Sequence, residues 1–107
     1  MAHDFIIVMS TVPSKEAGLA IAGLLVNEKL AACVNIIPGL TSLYKWKGKL
    51  CTDEELLLII KTRKSLFEKV RNAIKGIHPY EVPEIIELPI MSGLETYMQW
   101  IEENTLD

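Results

Sequence analysis

Residues 31–62 read AACVNIIPGLTSLYKWKGKLCTDEELLLIIKT, and the pattern of this segment is the most informative about the topology of the chain. We predict a hairpin that turns at Lys47-Gly48-Lys49, because extended, apolar sequence lies on both sides of that glycine. The outgoing arm begins as a buried strand over Ala31–Ile37 and resumes over Leu40–Lys47. Between these two segments, Pro38-Gly39 predicts a bend or a bulge.

The returning arm runs from Cys51 to Thr62 around the apolar run Leu56–Ile60, and it is long for so small a chain. It would span about 40 Å, whereas a compact chain of this length is roughly 33 Å across. We therefore expect the hairpin to project and, because Tyr44 and Trp46 lie near its tip, to pair with another copy. The alternative is a hairpin that folds back on its own sheet.

The remaining sequence predicts two further strands and three helices in a single domain over residues 1–107. They are a strand over Phe5–Thr11, a helix from Lys15 to about Glu28 capped by Ser14, a helix opened by the capping box Ser65–Glu68 and closed at Gly76, a strand over Glu84–Leu88, and a last helix opened by the capping box Ser92–Glu95. The resulting order, β-α-β-β-α-β-α, indicates an α+β fold. It is the ferredoxin-like βαββαβ sandwich with a long central hairpin and an extra C-terminal helix.

Composition excludes several classes of partner. The chain has 107 residues, 11 basic and 14 acidic, so its net charge of −3 argues against nucleic acid and anionic membranes. Hydrophobic residues make up 50% and charged residues 23%, which leaves apolar surface for an oligomer to cover. No apolar run is long enough to cross a membrane, and no signal peptide is expected. The unpaired spacing of Cys33 and Cys51 favours a reducing, cytoplasmic location.

The sequence contains no motif that predicts an enzyme. Nucleophile–base triads, a glycine-rich phosphate loop and a catalytic carboxylate pair are all missing from it. An RNA-binding domain of the same element order would need aromatic residues on its third strand, where this chain has Leu56–Ile60. A copper chaperone of this topology would need a cysteine pair in the first loop, where Met9–Lys15 has none. We therefore expect a binding or regulatory protein.

Four ordered blocks, which lie within a match from about Phe5 to Trp100, resemble the CutA family of divalent-cation tolerance proteins. The blocks are Glu28–Gly39, Thr41–Lys49, Ile60–Thr62 and His78–Glu84. The resemblance implies a homotrimer of ferredoxin-like protomers assembled through the long hairpins, similar in fold and assembly to the PII signalling trimers. It also implies tolerance of copper and other divalent ions, copper binding, or a regulatory role.

Cys33 and His78 are the candidate metal ligands. A thiolate suits copper, the resemblance places a metal role on Cys33, and a neutral imidazole at His78 would suit a divalent ion. Each residue also has a structural interpretation, Cys33 as a small apolar residue of a buried strand and His78 as a helix-terminating turn residue. Family members with a proposed copper site carry a second cysteine where this chain has Ser10. His3 near the N-terminus would bind Cu(II) independently if Met1 is retained.

A second candidate site is a cleft between subunits, lined by Lys61, Tyr80 and Glu84, with Trp46 or Trp100 supplied by a neighbour. Lysine and glutamate would fix a small anion or amine, and the aromatic wall would stack a ring. The alternative is that Lys61 and Glu84 form an ordinary salt bridge.

Two functions therefore stay open, neither with an obligatory cofactor. One is a trimer that binds copper or another divalent ion. The other is a PII-like trimer that binds a small molecule and acts through a protein partner.

Overall fold

The computed structural model describes residues 4–107, so His3 lies outside the described residues. Its elements are β1 (Phe5–Val12), α1 (Lys15–Asn27), β2 (Cys33–Trp46), β3 (Lys49–Arg63), a 3₁₀ turn (Lys64–Leu66), α2 (Phe67–Ile77), β4 (Ile86–Pro89) and α3 (Glu95–Glu103). The four strands form one sheet in the order β2-β3-β1-β4, and every neighbouring pair is antiparallel. This topology confirms the predicted ferredoxin-like α+β fold.

The core lies between one face of the sheet and helices α1 and α2. Alternate residues of β1, including Ile6, Val8 and Val12, are almost completely buried on that face. Leu58 and Ile60 of β3 lie on the same face, because they pair with Ser10 and Val8 of β1. From the helices, buried side chains complete the cluster, namely Ile21, Leu25, Val70 and Ile74. Over residues 4–107, no helix has the length and apolar character needed to span a bilayer.

The hairpin of β2 and β3 extends beyond the rest of the sheet, as predicted. The last pair between β1 and β3 is Val12 with Leu56, whereas β2 and β3 stay paired from Leu40–Glu55 out to Trp46–Lys49. The molecule therefore measures 44 × 25 × 23 Å, and its radius of gyration is 14.3 Å. A compact chain of this size is expected at about 13 Å. We call the projecting part, residues 40–55, the ribbon.

Two local features of the hairpin match its sequence. Lys47 and Gly48 have φ angles of 52° and 81°, the left-handed pair required by a two-residue type I′ turn. Along the hairpin, Ile37 pairs with Leu57 and Leu40 pairs with Glu55, so Pro38-Gly39 opposes a single residue of β3. This is a β-bulge, and Gly39 takes a φ of 86° that favours glycine.

Helix α1 begins as predicted, but both predicted capping boxes are wrong. The Ser14 side chain accepts the Ala17 N–H at 3.1 Å at the start of α1. Ser65, by contrast, lies inside the 3₁₀ turn, and the Phe67 N–H bonds the Lys64 carbonyl instead of a side chain. Helix α3 likewise begins after Leu94 without a side-chain cap. The physical reason at α2 is that a backbone carbonyl satisfies the free amide that a cap would otherwise bond.

Several predicted boundaries also move by one to three residues. Helix α2 passes through Gly76 and ends at Ile77, and β3 is longer at both ends than predicted. Strand β4 covers Ile86–Pro89 instead of Glu84–Leu88, because the chain before it follows the base of the ribbon. That segment, residues 78–84, forms one wall of the candidate site.

Candidate functional site

A groove of about 670 Å³ lies between the ribbon and the 78–84 segment. One wall comes from the ribbon face that carries Tyr44 and Trp46, and the other comes from the chain between α2 and β4. Aromatic and acidic side chains dominate the lining, and those used below are Tyr44, Trp46, Glu55, Tyr80, Glu81 and Glu84. This volume lies in the range of small-molecule sites.

His78 fixes the 78–84 segment against the end of β1. Its backbone N–H bonds the Ile74 carbonyl at 2.8 Å and so closes α2. The Tyr80 N–H donates to Nδ1 of the ring at 3.1 Å, so Nδ1 is the acceptor and Nε2 carries the proton. Nε2 then donates to the Thr11 carbonyl at 2.8 Å. Both ring nitrogens are therefore engaged in holding the turn, and a metal ion would reach one only after a hydrogen bond broke.

Tyr80 links the 78–84 segment to the base of the ribbon. Its ring centroid lies 4.8 Å from that of His78, and its hydroxyl donates to Oε2 of Glu55 at 2.5 Å. Glu55 is only 6% exposed. Burial, followed by the hydrogen bond to Glu55, raises the pKa of Tyr80 well above its usual value of 10.0. Tyr80 therefore remains a neutral donor, and its hydrogen bond joins the 78–84 segment to Glu55 on β3.

A second tyrosine–carboxylate pair lies further out on the ribbon. The Tyr44 hydroxyl donates to Oδ2 of Asp53. This hydrogen bond is the main reason that the pKa of Tyr44 rises from 10.0 to about 12. Both phenols of the groove are uncharged at neutral pH, as tyrosines ordinarily are, so the formal charge of the groove comes from its carboxylates.

Three of the five predicted cleft residues meet in this groove within one chain. Trp46, Tyr80 and Glu84 line it together. Lys61 lies elsewhere, because it is six residues from Glu55 along β3, or about 20 Å. Its Nζ bonds Oδ1 of Asn35 and approaches Sγ of Cys33 at 3.9 Å, so the alternative of a Lys61–Glu84 salt bridge does not form in the described chain.

Trp100 also lies outside the groove within one chain. It is on α3, where its ring stacks on Tyr97 with centroids 5.5 Å apart. A neighbouring subunit would have to bring Trp100 to the groove, and this stays a prediction.

Glu55, the most buried acid of the site, was not predicted from the sequence. Its signal was a carboxylate directly before the apolar run Leu56–Ile60, on the strand face opposite the core-facing Leu56 and Leu58. An acidic residue in that position is exposed in most sheets. Here the 78–84 segment covers it, and sequence spacing does not predict that coverage.

The two candidate metal ligands do not meet within one chain. Cys33 pairs with Lys61, whereas His78 is held at Thr11, which pairs with Leu57. These positions differ by about 13 Å along the strands and about 10 Å across them. Within residues 4–107, no three His, Cys, Asp or Glu side chains form a group able to hold a metal ion.

Ser10 also lies on the opposite sheet face from Cys33. Ser10 pairs with Leu58 on the core-facing side, and its side chain is completely buried. Cys33 pairs with Lys61, whose side chain points to the other side of β3. A thiol in place of Ser10 would therefore not face Cys33 within the same chain.

Comparison with known proteins identifies the family. The profile of the "CutA1 divalent ion tolerance protein" family matches residues 6–104. The chain belongs to the CutA1 family. It is 52% identical over 99 residues to the divalent-cation tolerance protein CutA of Thermus thermophilus, which covers 92% of this chain and 96% of that protein. It is 53% identical over 100 residues to the chloroplastic CutA 1 of Oryza sativa, with 94% of this chain but only 56% of that protein covered. The chain thus spans about half the length of that plant relative.

Solved CutA1 structures have the same fold. The crystal structure of CutA1 from Oryza sativa superposes with a TM-score of 0.95 at 50% identity, covering 99% of this chain and 97% of the other. The Thermus thermophilus protein gives a TM-score of 0.92 at 51% identity, with 94% and 98% covered. The CutA1 family is described by ion tolerance and not by a reaction.

The predicted cytoplasmic location is wrong, because related proteins lie in other compartments. The rice and Arabidopsis relatives are chloroplastic, and the structure from Archaeoglobus fulgidus is of a periplasmic protein. The two unpaired cysteines that suggested this location do not specify a compartment, because free thiols occur in several. Family members of this fold occupy several compartments.

Proposed function

We propose that this CutA1 protein contributes to divalent-cation tolerance as a homotrimer, and that the groove beside the ribbon is its ligand-binding site. The observation that supports the assembly is the ribbon itself. Residues 40–55 form two strands with no third strand beside them in the described sheet. An isolated two-stranded ribbon is marginally stable in water, so a partner surface is expected to cover it.

The side chains of the ribbon support the same proposal. Leu43 and Leu50 are 65% and 69% exposed, and their register places both on the ribbon face opposite Tyr44 and Trp46. Neighbouring copies would bury this apolar back face, while the front face contributes to the groove. A count of three copies follows from the resemblance to the CutA family, and the apolar surface is the physical requirement for it.

The groove favours the small-molecule interpretation of the family role. Its walls are aromatic, its volume is about 670 Å³, and His78 holds one side in a fixed geometry. A pre-formed site of this kind binds a ligand with little reorganisation. In a PII-like mechanism, occupancy of such a site changes the binding of a protein partner.

Copper binding at Cys33 is a second proposal. Cys33 is partly exposed on the sheet face away from α1 and α2, so an ion has access to its sulfur. Since Cys33 belongs to no group of three His, Cys, Asp or Glu side chains within residues 4–107, further ligands would be water or residues of another subunit. We expect such a site to be weak.

Two measurements test the proposed function. Light scattering at micromolar concentration should give about 36 kDa, three times the 12.0 kDa chain, and a value of 12 kDa would overturn the trimer. Thermal-shift screening of protein with its native N-terminus, against divalent ions and a panel of small molecules, separates the two ligand classes. Stabilisation by metal ions alone would reject the groove as the working site.

A further inference from the structure

The groove is acidic, and its charge is not balanced by its own lining. Glu55, Glu81 and Glu84 all line it, whereas no lysine, arginine or histidine of residues 4–107 does. Three lysines lie at its margins, and one of them, Lys49, pairs with Trp46 on the front face of the ribbon. Lys47 Nζ is 6.0 Å from the Trp46 ring centroid, and Lys75 Nζ is 3.5 Å from the Glu81 carbonyl oxygen.

Of these three carboxylates, Glu55 is the most buried, and no basic side chain compensates its negative charge. It is 94% buried, since its exposed fraction is 6%, and its hydrogen-bond partner is the Tyr80 hydroxyl on Oε2. Within the described chain, no basic side chain lies within ion-pair distance of it. Burying a carboxylate with one neutral donor and no opposite charge is unfavourable. A positively charged ligand in the groove would remove that imbalance.

The walls add a preference for an organic cation over a metal ion. Tyr44, Trp46 and Tyr80 present aromatic rings, and both phenols are neutral at neutral pH, as a tyrosine ordinarily is. Aromatic faces attract ammonium groups and pack against their carbon atoms. A hydrated divalent ion instead needs several converging oxygen ligands, and no group of three forms among residues 4–107.

We propose that the groove binds a small organic ammonium ion, with Glu55 as its counter-ion and Trp46, Tyr44 and Tyr80 as its walls. This proposal rests on the proposed function, because it names the ligand class of the same groove. His78 is a positioning residue here, since its bonds to Thr11 and Tyr80 hold the phenol that orients Glu55.

The first experiment uses the full chain and three probes of similar size. Benzyltrimethylammonium, benzyl alcohol and benzenesulfonate are titrated by calorimetry, and each titration is repeated at higher salt. We expect binding of the ammonium probe at least tenfold tighter than that of the neutral probe, and no binding of the sulfonate. This comparison does not depend on any variant folding.

The second experiment compares two neighbouring carboxylates. Glu55→Gln should weaken the ammonium probe about tenfold or more. Glu54→Gln removes the same charge one residue away, but Glu54 is exposed and pairs with Thr41 on the ribbon back face, so its effect should be under about twofold. Light scattering and melting curves of both variants verify the fold and the assembly.

The outcomes separate this proposal from the proposed function. Equal binding of the ammonium and neutral probes, or equal effects of Glu55→Gln and Glu54→Gln, would leave the groove as a ligand site but overturn the organic-cation class. Tighter binding of the sulfonate would overturn it as well. If no probe binds while the protein stays trimeric, the groove is not a ligand site, and both this proposal and that part of the proposed function fail.

Discussion

Replacement of Leu50 by aspartate tests the proposed role of the ribbon most directly. Leu50 lies on the back face of the ribbon, 69% exposed and far from the helix-covered core. In a single chain the substitution should therefore be nearly neutral for folding. In a trimer that buries this face, Leu50→Asp removes apolar burial from three equivalent sites at once.

The size of the effect follows from the exposed fraction. Fully burying a leucine side chain contributes about 1.5–3 kcal/mol, so burying the remaining 69% contributes about 1–2 kcal/mol per copy. Three copies lose about 3–6 kcal/mol per trimer, which changes the trimer dissociation constant by roughly 10²–10⁴. The concentration of half-dissociation varies as the square root of that constant, so it should rise about 10- to 100-fold. The desolvation of aspartate adds to this.

Sedimentation over a range of concentrations measures the half-dissociation point, and circular dichroism reports the protomer fold. Leu19→Asp is the matched control, because Leu19 is 54% exposed on α1 and lies away from the ribbon. We expect Leu19→Asp to remain as trimeric as the unmodified protein. Equal half-dissociation concentrations for the two variants would refute the argument that the back face of the ribbon is buried between copies.

Three other changes give distinct expectations. Trp46→Asp changes the front face of the ribbon, so it should leave the trimer mass unchanged while the protomer remains folded, and dissociation seen by light scattering would show that a neighbouring copy also covers this face. Asp53→Asn should return the pKa of Tyr44 from about 12 towards 10.0 in an ultraviolet titration. Because the folded pKa of Tyr44 lies above its unfolded pKa, the stability from this hydrogen bond is present below pH 10.0 and is lost as pH rises through about 12. A Tyr44 titration unchanged by Asp53→Asn would contradict the hydrogen bond to Asp53 as the cause of the raised pKa. For copper, calorimetry on His3→Ala protein with and without Cys33→Ser should show weak binding that needs Cys33 and declines as pH falls, because protons remove the thiolate. Equal binding by the two proteins would exclude Cys33.

The elements that the sequence predicted well are those with local causes. The turn at Lys47-Gly48 and the bulge at Pro38-Gly39 depend on backbone conformations that these residues favour. The apolar run Leu56–Ile60 predicted the central strand, and the length of the hairpin predicted its projection. The capping box predicted for α2 failed because the Lys64 carbonyl already accepts the Phe67 amide at the start of that helix.

The candidate site was only partly predictable, because its residues meet through long-range packing. Trp46, Tyr80 and Glu84 were predicted from their chemistry to line a cleft and do lie together, but Glu55 was not predicted. Tyr80 contacts Glu55 across 25 positions, and His78, which holds the same turn, is bonded to Thr11, 67 positions away. The same bond explains why His78 and Cys33 do not meet, since it holds the imidazole at one end of β1.

The bulge at Pro38-Gly39 determines which residues of β2 point to each face of the ribbon. Alternate residues of a strand face opposite sides, so one extra residue in β2 inverts the relation between odd and even positions. Before the bulge, odd-numbered residues such as Ile37 pair on the face that holds Leu57; after it, even-numbered Leu40, Tyr44 and Trp46 continue that face. Removing a single residue there would restore one-to-one pairing and turn the aromatic rings to the back of the ribbon. Both faces of the ribbon, the acidic groove and the apolar surface, therefore depend on one extra residue of β2 at the base of the ribbon.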